Sequence, residues 1–289
     1  MDNEERTGEV VGSQMPFIAI IEEVDNQKFA IVPDDYELLN LEKLQKKPQR
    51  KTGKIFFEDV PSFNRYVTTH KGEGTEIFAS LESTSVMAIL NHHSLSDPGW
   101  SDFIAQYDCP LSEQWKIWTE KNKKSFSQIE FAEFIDENRL DILAPDKDKG
   151  INNPSSTELL EMITKLTDTR RVNFSQGVDR HNGAMIFEYS NQEENKEEKG
   201  KITIPEVISL GLAPFLHGKK YRIDCRLMYR TDDKKLRFSY SLDQANEILK
   251  DAFLSVVDMI ESGIKPEAAE KEGIKSFEGT GINVMFGKF

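Results

Sequence analysis

Apolar residues recur with a period of two near both ends of this chain and with a three-and-four period through its middle, so strands are expected first, then helices, then strands again. Phe17-Ile18-Ala19-Ile20-Ile21 and Lys28-Phe29-Ala30-Ile31-Val32 flank the polar Asp25-Asn26-Gln27, which predicts a strand pair ending at Pro33. Leu38, Leu39 and Leu41 suggest a short helix over 36–44, followed by an exposed basic loop over 46–51. Ser62 precedes Phe63, Tyr66 and Val67 at helical spacing and is the expected N-cap of a second short helix. Residues 76–80 and 85–90 then read as paired strands joined by a turn at 81–84.

The middle of the chain changes rhythm. Trp115 and Trp118, three residues apart in a predicted helix over 111–119, share one face and should point inward. With Trp100 they are all the tryptophans of the chain, and together they read as its packing anchor. Ser127-Gln128-Ile129-Glu130 fits a capping box, in which the serine and the glutamate satisfy each other's backbone N–H groups, and opens a helix over 128–138 that buries Phe131, Phe134 and Ile135. A polar loop over 145–154 leads to a second box, Ser155-Ser156-Thr157-Glu158, and to the stripe Leu159, Met162, Ile163 and Leu166.

From Arg171 the period returns to two. Strands over 172–175 and 184–189 flank Asp179-Arg180-His181-Asn182-Gly183, whose Asn-Gly pair suits a tight turn. Residues 190–200, rich in Asn, Glu and Lys, read as a mobile linker before a strand at 201–204. The strongest alternation follows: Tyr221, Ile223, Cys225, Leu227 and Tyr229 oppose Leu236, Phe238, Tyr240 and Leu242 on a core face. A helix over 243–262 buries Ala245, Ile248, Leu249, Ala252, Phe253, Val256 and Ile260, with Gly263 as its stop, and a last strand covers 282–286. The expected fold is α+β: an N-terminal β-rich half, central helices, and a C-terminal antiparallel sheet packed by a long helix. A flexible arm over 1–14 would precede a single domain over 15–289, divisible into lobes at 15–170 and 171–289.

Composition narrows the function classes. The 289 residues carry 50 acidic and 37 basic side chains, and a net charge of −13 argues against non-specific coating of DNA, which needs clustered positive charge. Two cysteines, Cys109 and Cys225, are too few for a disulfide framework and point to a reducing cytoplasm. The acidic start lacks the features of a secretory signal, and no segment reaches the ~20 apolar residues of a membrane span.

Candidate chemistry is sparse. Asn91-His92-His93 with Asp97 and Asp102 is a polar group that a hydrolase or a metal could use, yet adjacent histidines at a strand end should face opposite ways, and no further ligands complete a zinc set. Cys109 and Cys225 read as buried structural thiols. Gly279-Thr280-Gly281 and Gly287-Lys288 lack the spacing of a phosphate loop. No catalytic constellation and no cofactor motif emerges. The best candidate is the polar side of the C-terminal sheet, where Arg222, Arg226 and Arg230, with Arg237 on the partner strand, could line up to bind phosphates or carboxylates. The bland alternative is a solvated or ion-paired face.

Pro98-Gly99-Trp100, Trp115 and Trp118, the run Phe131 to Asn138, and the strand pair at 221–230 and 236–242 resemble the YfdQ-like family of phage and prophage proteins, as do Phe63 to Val67 and Val86 to His92. The resemblance runs from about Phe56 to Ile260. It implies a cytoplasmic accessory protein of the bacterial host and brings no active-site residues with it. The expectation is a non-enzymatic homo-oligomer that binds a host or phage protein, with a host-defence inhibitor as one form. The alternative is a nucleic-acid-associated accessory of phage DNA recombination that uses the arginine face.

Overall fold

Two segments far apart in sequence, Gly53–Phe57 and Val284–Phe286, close the two edges of the largest sheet, and both do so in parallel pairing. The computed structural model describes residues 20–24, 27–31, 44–148, 150–168, 175–178, 185–193, 196–232, 235–265 and 275–287. The expected arm over 1–14, residues 36–43 of the first expected helix, and the Asp179-to-Gly183 turn lie outside these. Backbone contacts divide the chain into two units, Met1–Lys51 and Thr52–Phe289. In the first, β1 (Ile20–Val24) and β2 (Gln27–Ile31) form the expected antiparallel pair, with Val24 opposite Gln27. The basic residues at 46–51 are exposed, as their charge requires.

The second unit opens with β3 (Gly53–Phe57) and α1 (Val60–His70). The N-cap of α1 is Asp59, not Ser62: the Asp59 carboxylate accepts from the Ser62 backbone N–H at 2.7 Å and from its hydroxyl at 2.9 Å. Pro61 explains the shift, because a residue without an N–H is tolerated in the first turn, where that group has no helical partner. β4 (Glu76–Ser80) and β5 (Ser85–Ile89) form the predicted hairpin, and β6 (Phe103–Asp108) joins them. After α2 (Glu113–Glu120), β7 (Phe126–Ser127), α3 (Gln128–Glu137) and α4 (Ser156–Asp168) come β8 (Ser175–Val178), β9 (Met185–Glu193) and β10 (Lys196–Ile204). Both capping boxes form: Ser127 with Glu130, and Ser155 with Glu158.

The expected linker over 190–200 is a hairpin instead, with Glu193 opposite Lys196 and Ser190 opposite Lys199. A strand that is polar at successive positions carries no alternation, so its period was not legible. Beyond it lie β11 (Val207–Leu212), β12 (Tyr221–Asp232), β13 (Lys235–Leu242), α5 (Ala245–Ser262), β14 (Gly263–Ile264), β15 (Phe277–Glu278) and β16 (Val284–Phe286). Gly263 ends α5 with φ +73°, and a Cβ there would meet the Gly279 backbone at 2.3 Å, so glycine is required twice over.

Two sheets organise two apolar cores. The antiparallel sheet β11-β12-β13-β7 buries Ile223, Cys225, Leu227, Leu236, Phe238 and Tyr240 against Trp115, Trp118, Phe131, Phe134, Leu159 and Ile163 of α2, α3 and α4. Phe131 stacks on Phe238 with centroids 5.0 Å apart, and Trp118 meets Tyr240 edge-on at 5.2 Å; such pairs contribute about 0.5–1.5 kcal/mol each beyond their burial. The mixed sheet β16-β4-β5-β6-β3 buries Ile77, Ala79, Val86, Ala88, Phe103, Ala105 and Tyr107 against Phe63 and Val67 of α1 and Phe253, Val256 and Ile260 of α5. The long helix serves both sheets: Ala245, Ile248 and Leu249 touch the first core, and its later turns fill the second. The architecture is α+β.

β11 escaped the sequence pattern because it is covered on both sides. Asn153 donates to the Ser209 carbonyl at 3.0 Å and accepts from the Ser209 N–H at 2.9 Å, closing the free edge of β11, while the Leu143 side chain lies against Gly211. A doubly buried strand shows a continuous apolar run rather than alternation.

Candidate functional site

β12 alternates sharply because every second residue must leave water, and the residues between them stay on the opposite face. That face carries Arg222, Asp224, Arg226, Met228 and Arg230 in order. The arginines are not equivalent. Arg222 Nε lies 3.2 Å from Asp224 Oδ1, and its guanidinium also donates to the Gly150 carbonyl at 3.4 Å. Arg226 Nε is 3.9 Å from Glu206 Oε1. Arg230 and Arg237, by contrast, are direct cross-strand partners, and Ser127 of β7 is the next partner of Arg237. The expected row of four is therefore a pair plus two arginines with acids at hand. Four residues of strand separate successive β12 arginines by about 13 Å.

The neighbouring acid has its own role. The Ser127 backbone N–H and hydroxyl hold the Glu130 carboxylate below its usual range, and Arg237 adds a smaller pull in the same direction. Val207 and Met228 interrupt the polar face with exposed apolar surface. The result is a mixed surface, with hollows of about 250 and 570 Å³ at its Arg222 end and the exposed Val207 and Met228 toward Arg226 and Arg230.

His92, His93 and Asp97 sit in the β5–β6 connection. The two imidazoles do not face opposite ways: their centroids are 4.6 Å apart, because the chain leaves the strand after Ile89 and strand alternation no longer applies. His92 Nδ1 is 3.0 Å from the Ser101 hydroxyl, and His93 Nδ1 accepts from the Gly99 N–H at 3.0 Å. Asp97 belongs to a local turn, in which its N–H donates to the Ser94 hydroxyl at 3.0 Å and its carbonyl accepts from the Ser94 N–H at 2.9 Å. Asn91 ties the base of the loop by donating to Asp102 and accepting from the Phe103 N–H. These are loop-shaping bonds. Among the described residues, no group of three His, Cys, Asp or Glu side chains is placed to hold a metal ion.

Trp100 corrects an expectation. It is 78% exposed in this loop, whereas Trp115 and Trp118 are buried, so only two of the three indoles anchor a core. Burial pushes the Cys109 thiol up to about 12, with Asp108 adding to the effect, and pushes Cys225 up as well, so both thiols stay protonated and unreactive near neutrality. The Gly279-Thr280-Gly281 segment is structural: the Thr280 N–H and hydroxyl both donate to the Ile260 carbonyl, at 2.8 and 3.0 Å.

A second surface went unread in the sequence, since five strands contribute one residue each. Register places Met285, Phe78, Met87, Gln106 and Phe56 in one row across β16-β4-β5-β6-β3, on the side away from the core. Phe56 is 61% and Met285 42% exposed. Lys54 Nζ lies 5.0 Å from the Phe56 ring centroid. A shallow groove of about 470 Å³ follows the row, lined by Lys54, Phe78, Met87, Gln106 and the serines of the β4–β5 turn. Only the strand alternation of Phe78 and Met87 could have announced it.

No helix among the described residues is long and apolar enough to cross a membrane. No curated protein and no solved structure matches the chain. One family model matches residues 10–289, and on that match the chain belongs to the uncharacterized conserved protein family DUF2303.

Proposed function

We propose that this is a non-enzymatic phage or prophage accessory protein, cytoplasmic in the bacterial host, which self-associates and works by binding a host or phage protein; inhibition of a host defence is one form of that work. The observation that carries the reading is the outer face of β12 and β13, where exposed Val207 and Met228 lie among Arg226, Arg230 and Arg237. Apolar surface rimmed by arginine has the composition of a protein-docking face. The thiols of Cys109 and Cys225 are buried and protonated, which makes them poor nucleophiles. The resemblance of the tryptophan segment and the β12–β13 pair to YfdQ-like proteins supports the phage setting.

The test is affinity capture from phage-infected cells with the wild-type chain and with Arg230→Glu/Arg237→Glu. A host or phage protein retained by the wild type and lost by the double variant is the expected result. No specific protein retained, together with a monomer at every concentration, would overturn the reading.

The second reading is nucleic-acid binding through the same arginines, favoured by the direct Arg230–Arg237 pairing. It is weakened by the net charge of −13 and by the lack of aromatic side chains between the arginines for bases to stack on. Titration with single- and double-stranded DNA at rising salt separates the two, since phosphate contacts must weaken as salt increases.

A further inference from the structure

The two large sheets have four edges, and three of them are met by bonds from elsewhere in the chain. Asn153 closes β11, together with the Leu143 N–H, which donates to the Ser209 carbonyl at 3.0 Å. The open side of β13 is covered by β7 and, further along, by the Lys123 N–H, which donates to the Tyr240 carbonyl at 2.8 Å, and by the Asn122 side chain, which accepts from the Leu242 N–H at 3.1 Å. On β16 the Val284 N–H donates to the Glu261 carboxylate. β3 is the exception. The Gly53 N–H donates to the Asp102 carbonyl at 2.8 Å, and in a parallel ladder this fixes the order: Gly53, Ile55 and Phe57 bond β6, while Lys54 and Phe56 turn their N–H and C=O groups to the open side. Among the described residues no strand pairs with that side. Ile55 is on the core-facing side, beside Ala105, and is still 41% exposed; Phe56 is 61% exposed. Such an edge is a template for another strand, because its donors and acceptors are already aligned.

We infer that β3 pairs antiparallel with β3 of a second copy, across a two-fold axis at Ile55, and so joins two five-stranded sheets into one. The inference rests on the proposed self-association and names its surface. A second copy is the occupant because the strand complements itself at every position of this register. Lys54 of each copy opposes Phe56 of the other, and such a pair exchanges both of its N–H···O bonds, which satisfies the outward groups of both residues in both chains. A lysine guards an edge when it meets another lysine. Here it meets a ring, as Lys54 Nζ already does within one chain, 5.0 Å from the Phe56 centroid. Ile55 meets Ile55 as a pair not bridged by hydrogen bonds, with Cα atoms ~4.5 Å apart, so the two part-exposed side chains cover each other. Phe57 falls opposite Gly53, where a Cβ would meet nothing within 4 Å, so the ring has open space beside it. Thr52 opposes Glu58, and no like charges face each other. A two-fold interface needs this property, because the same patch must serve both partners. Only a short strand per copy takes part, against about 20–30 residues a side in a standard interface, so the dimer is expected to be weak and concentration-dependent.

Sedimentation velocity over about a hundredfold range of protein concentration reads the dimer, which must dissociate on dilution by mass action. Far-ultraviolet circular dichroism of each variant confirms the fold. Phe56→Pro removes an outward N–H and spares every bond to β6, and should weaken the dimer at least about tenfold; Phe56→Leu keeps the N–H and should weaken it less. Ile55→Lys and Ile55→Glu should each weaken it by setting like charges on the axis, and an equimolar mixture of the two should associate again, because residue 55 meets itself only across a two-fold. Under mild oxidation Ile55→Cys should form a disulfide between copies and Lys54→Cys should not, since two residues of strand carry position 54 beyond the ~7 Å between Cα atoms that a disulfide can bridge. A dimer indifferent to Phe56→Pro, with no crosslink through Ile55→Cys, overturns this edge while leaving self-association standing. A monomer throughout the concentration range overturns both. A wild-type monomer whose captured host or phage protein is lost on Phe56→Pro overturns the second copy and assigns the edge to a foreign strand.

Discussion

Trp118 donates its indole N–H to Asp141 Oδ2 at 2.9 Å inside the first core, joining α2 to the turn that follows α3. Trp118 is completely buried and Asp141 nearly so, so each satisfies a polar atom that water cannot reach. Burial raises the Asp141 pKa, while the Trp118 bond and Lys220 pull it down.

Asp141 therefore works against stability in its charged form. For a carboxyl whose folded pKa is raised, the penalty is complete above that pKa and disappears as pH falls through it toward the unfolded value of ~3.9. Asp141→Asn keeps an acceptor for Trp118 and removes the charge, so its denaturation midpoint at pH 7 should equal or exceed that of the wild type, with the difference vanishing in acid. Asp141→Ala strands the indole N–H and should cost about 1–3 kcal/mol. Urea denaturation at several pH values measures both.

Asn64 fastens α1 to the end of α5. Its side-chain amide donates to the Met259, Ile260 and Glu278 carbonyls at 3.1, 3.3 and 3.2 Å from a site 1% exposed. Asn64→Leu would leave those carbonyls short of a donor and should cost about 2–3 kcal/mol in chemical denaturation. Asn64→Asp should be worse, because a carboxylate would face carbonyl oxygens.

The Ser127–Glu130 capping box makes an opposite pH prediction. Glu130 has a lowered folded pKa, so its contribution is present above the unfolded value of ~4.3 and is lost as pH falls through the folded pKa. Glu130→Gln should thus be less stable than the wild type at pH 7 and converge with it in acid. Ser127→Ala should cost about 1 kcal/mol at pH 7, the usual cost of losing a serine cap. Thermal melts across pH distinguish the two variants.

Both cysteines should resist alkylation in the native protein. With its thiol raised to about 12 by burial, Cys109 has almost no thiolate near neutrality, and Cys225 is buried more deeply. Iodoacetamide followed by mass spectrometry should find neither modified without denaturant and both modified with it. Rapid native labelling of Cys109 would refute the protonated, buried thiol.

Legibility followed locality. Ser127 and Glu130, three residues apart, announce their helix because both partners of each bond lie within one turn. The β12–β13 hairpin was equally plain, since Cys225 through Tyr229 and Phe238 through Leu242 alternate cleanly over one buried and one open face. β3 and β6 were not, because they pair in parallel across an intervening helix and hairpin, and no short-range pattern encodes that partnership. The Ser62 cap failed through a competing local signal, Pro61, which moves the helix start back to Asp59.

The candidate sites divide in the same way. Sequence alone determined that Arg222, Arg226, Arg230 and Arg237 share a sheet face, because strand periodicity is a property of the backbone. Tertiary structure decided that Arg222 and Arg226 have acids within reach, that Arg230 meets Arg237 directly, and that Trp100 faces solvent while Trp118 does not. It also assembled the row of Phe56, Phe78, Met87, Gln106 and Met285, one residue from each of five strands. The physical reason is that local bonds and periods fix what each segment becomes, whereas register, crossover and the covering of a face depend on which segments meet, and no short-range pattern encodes that.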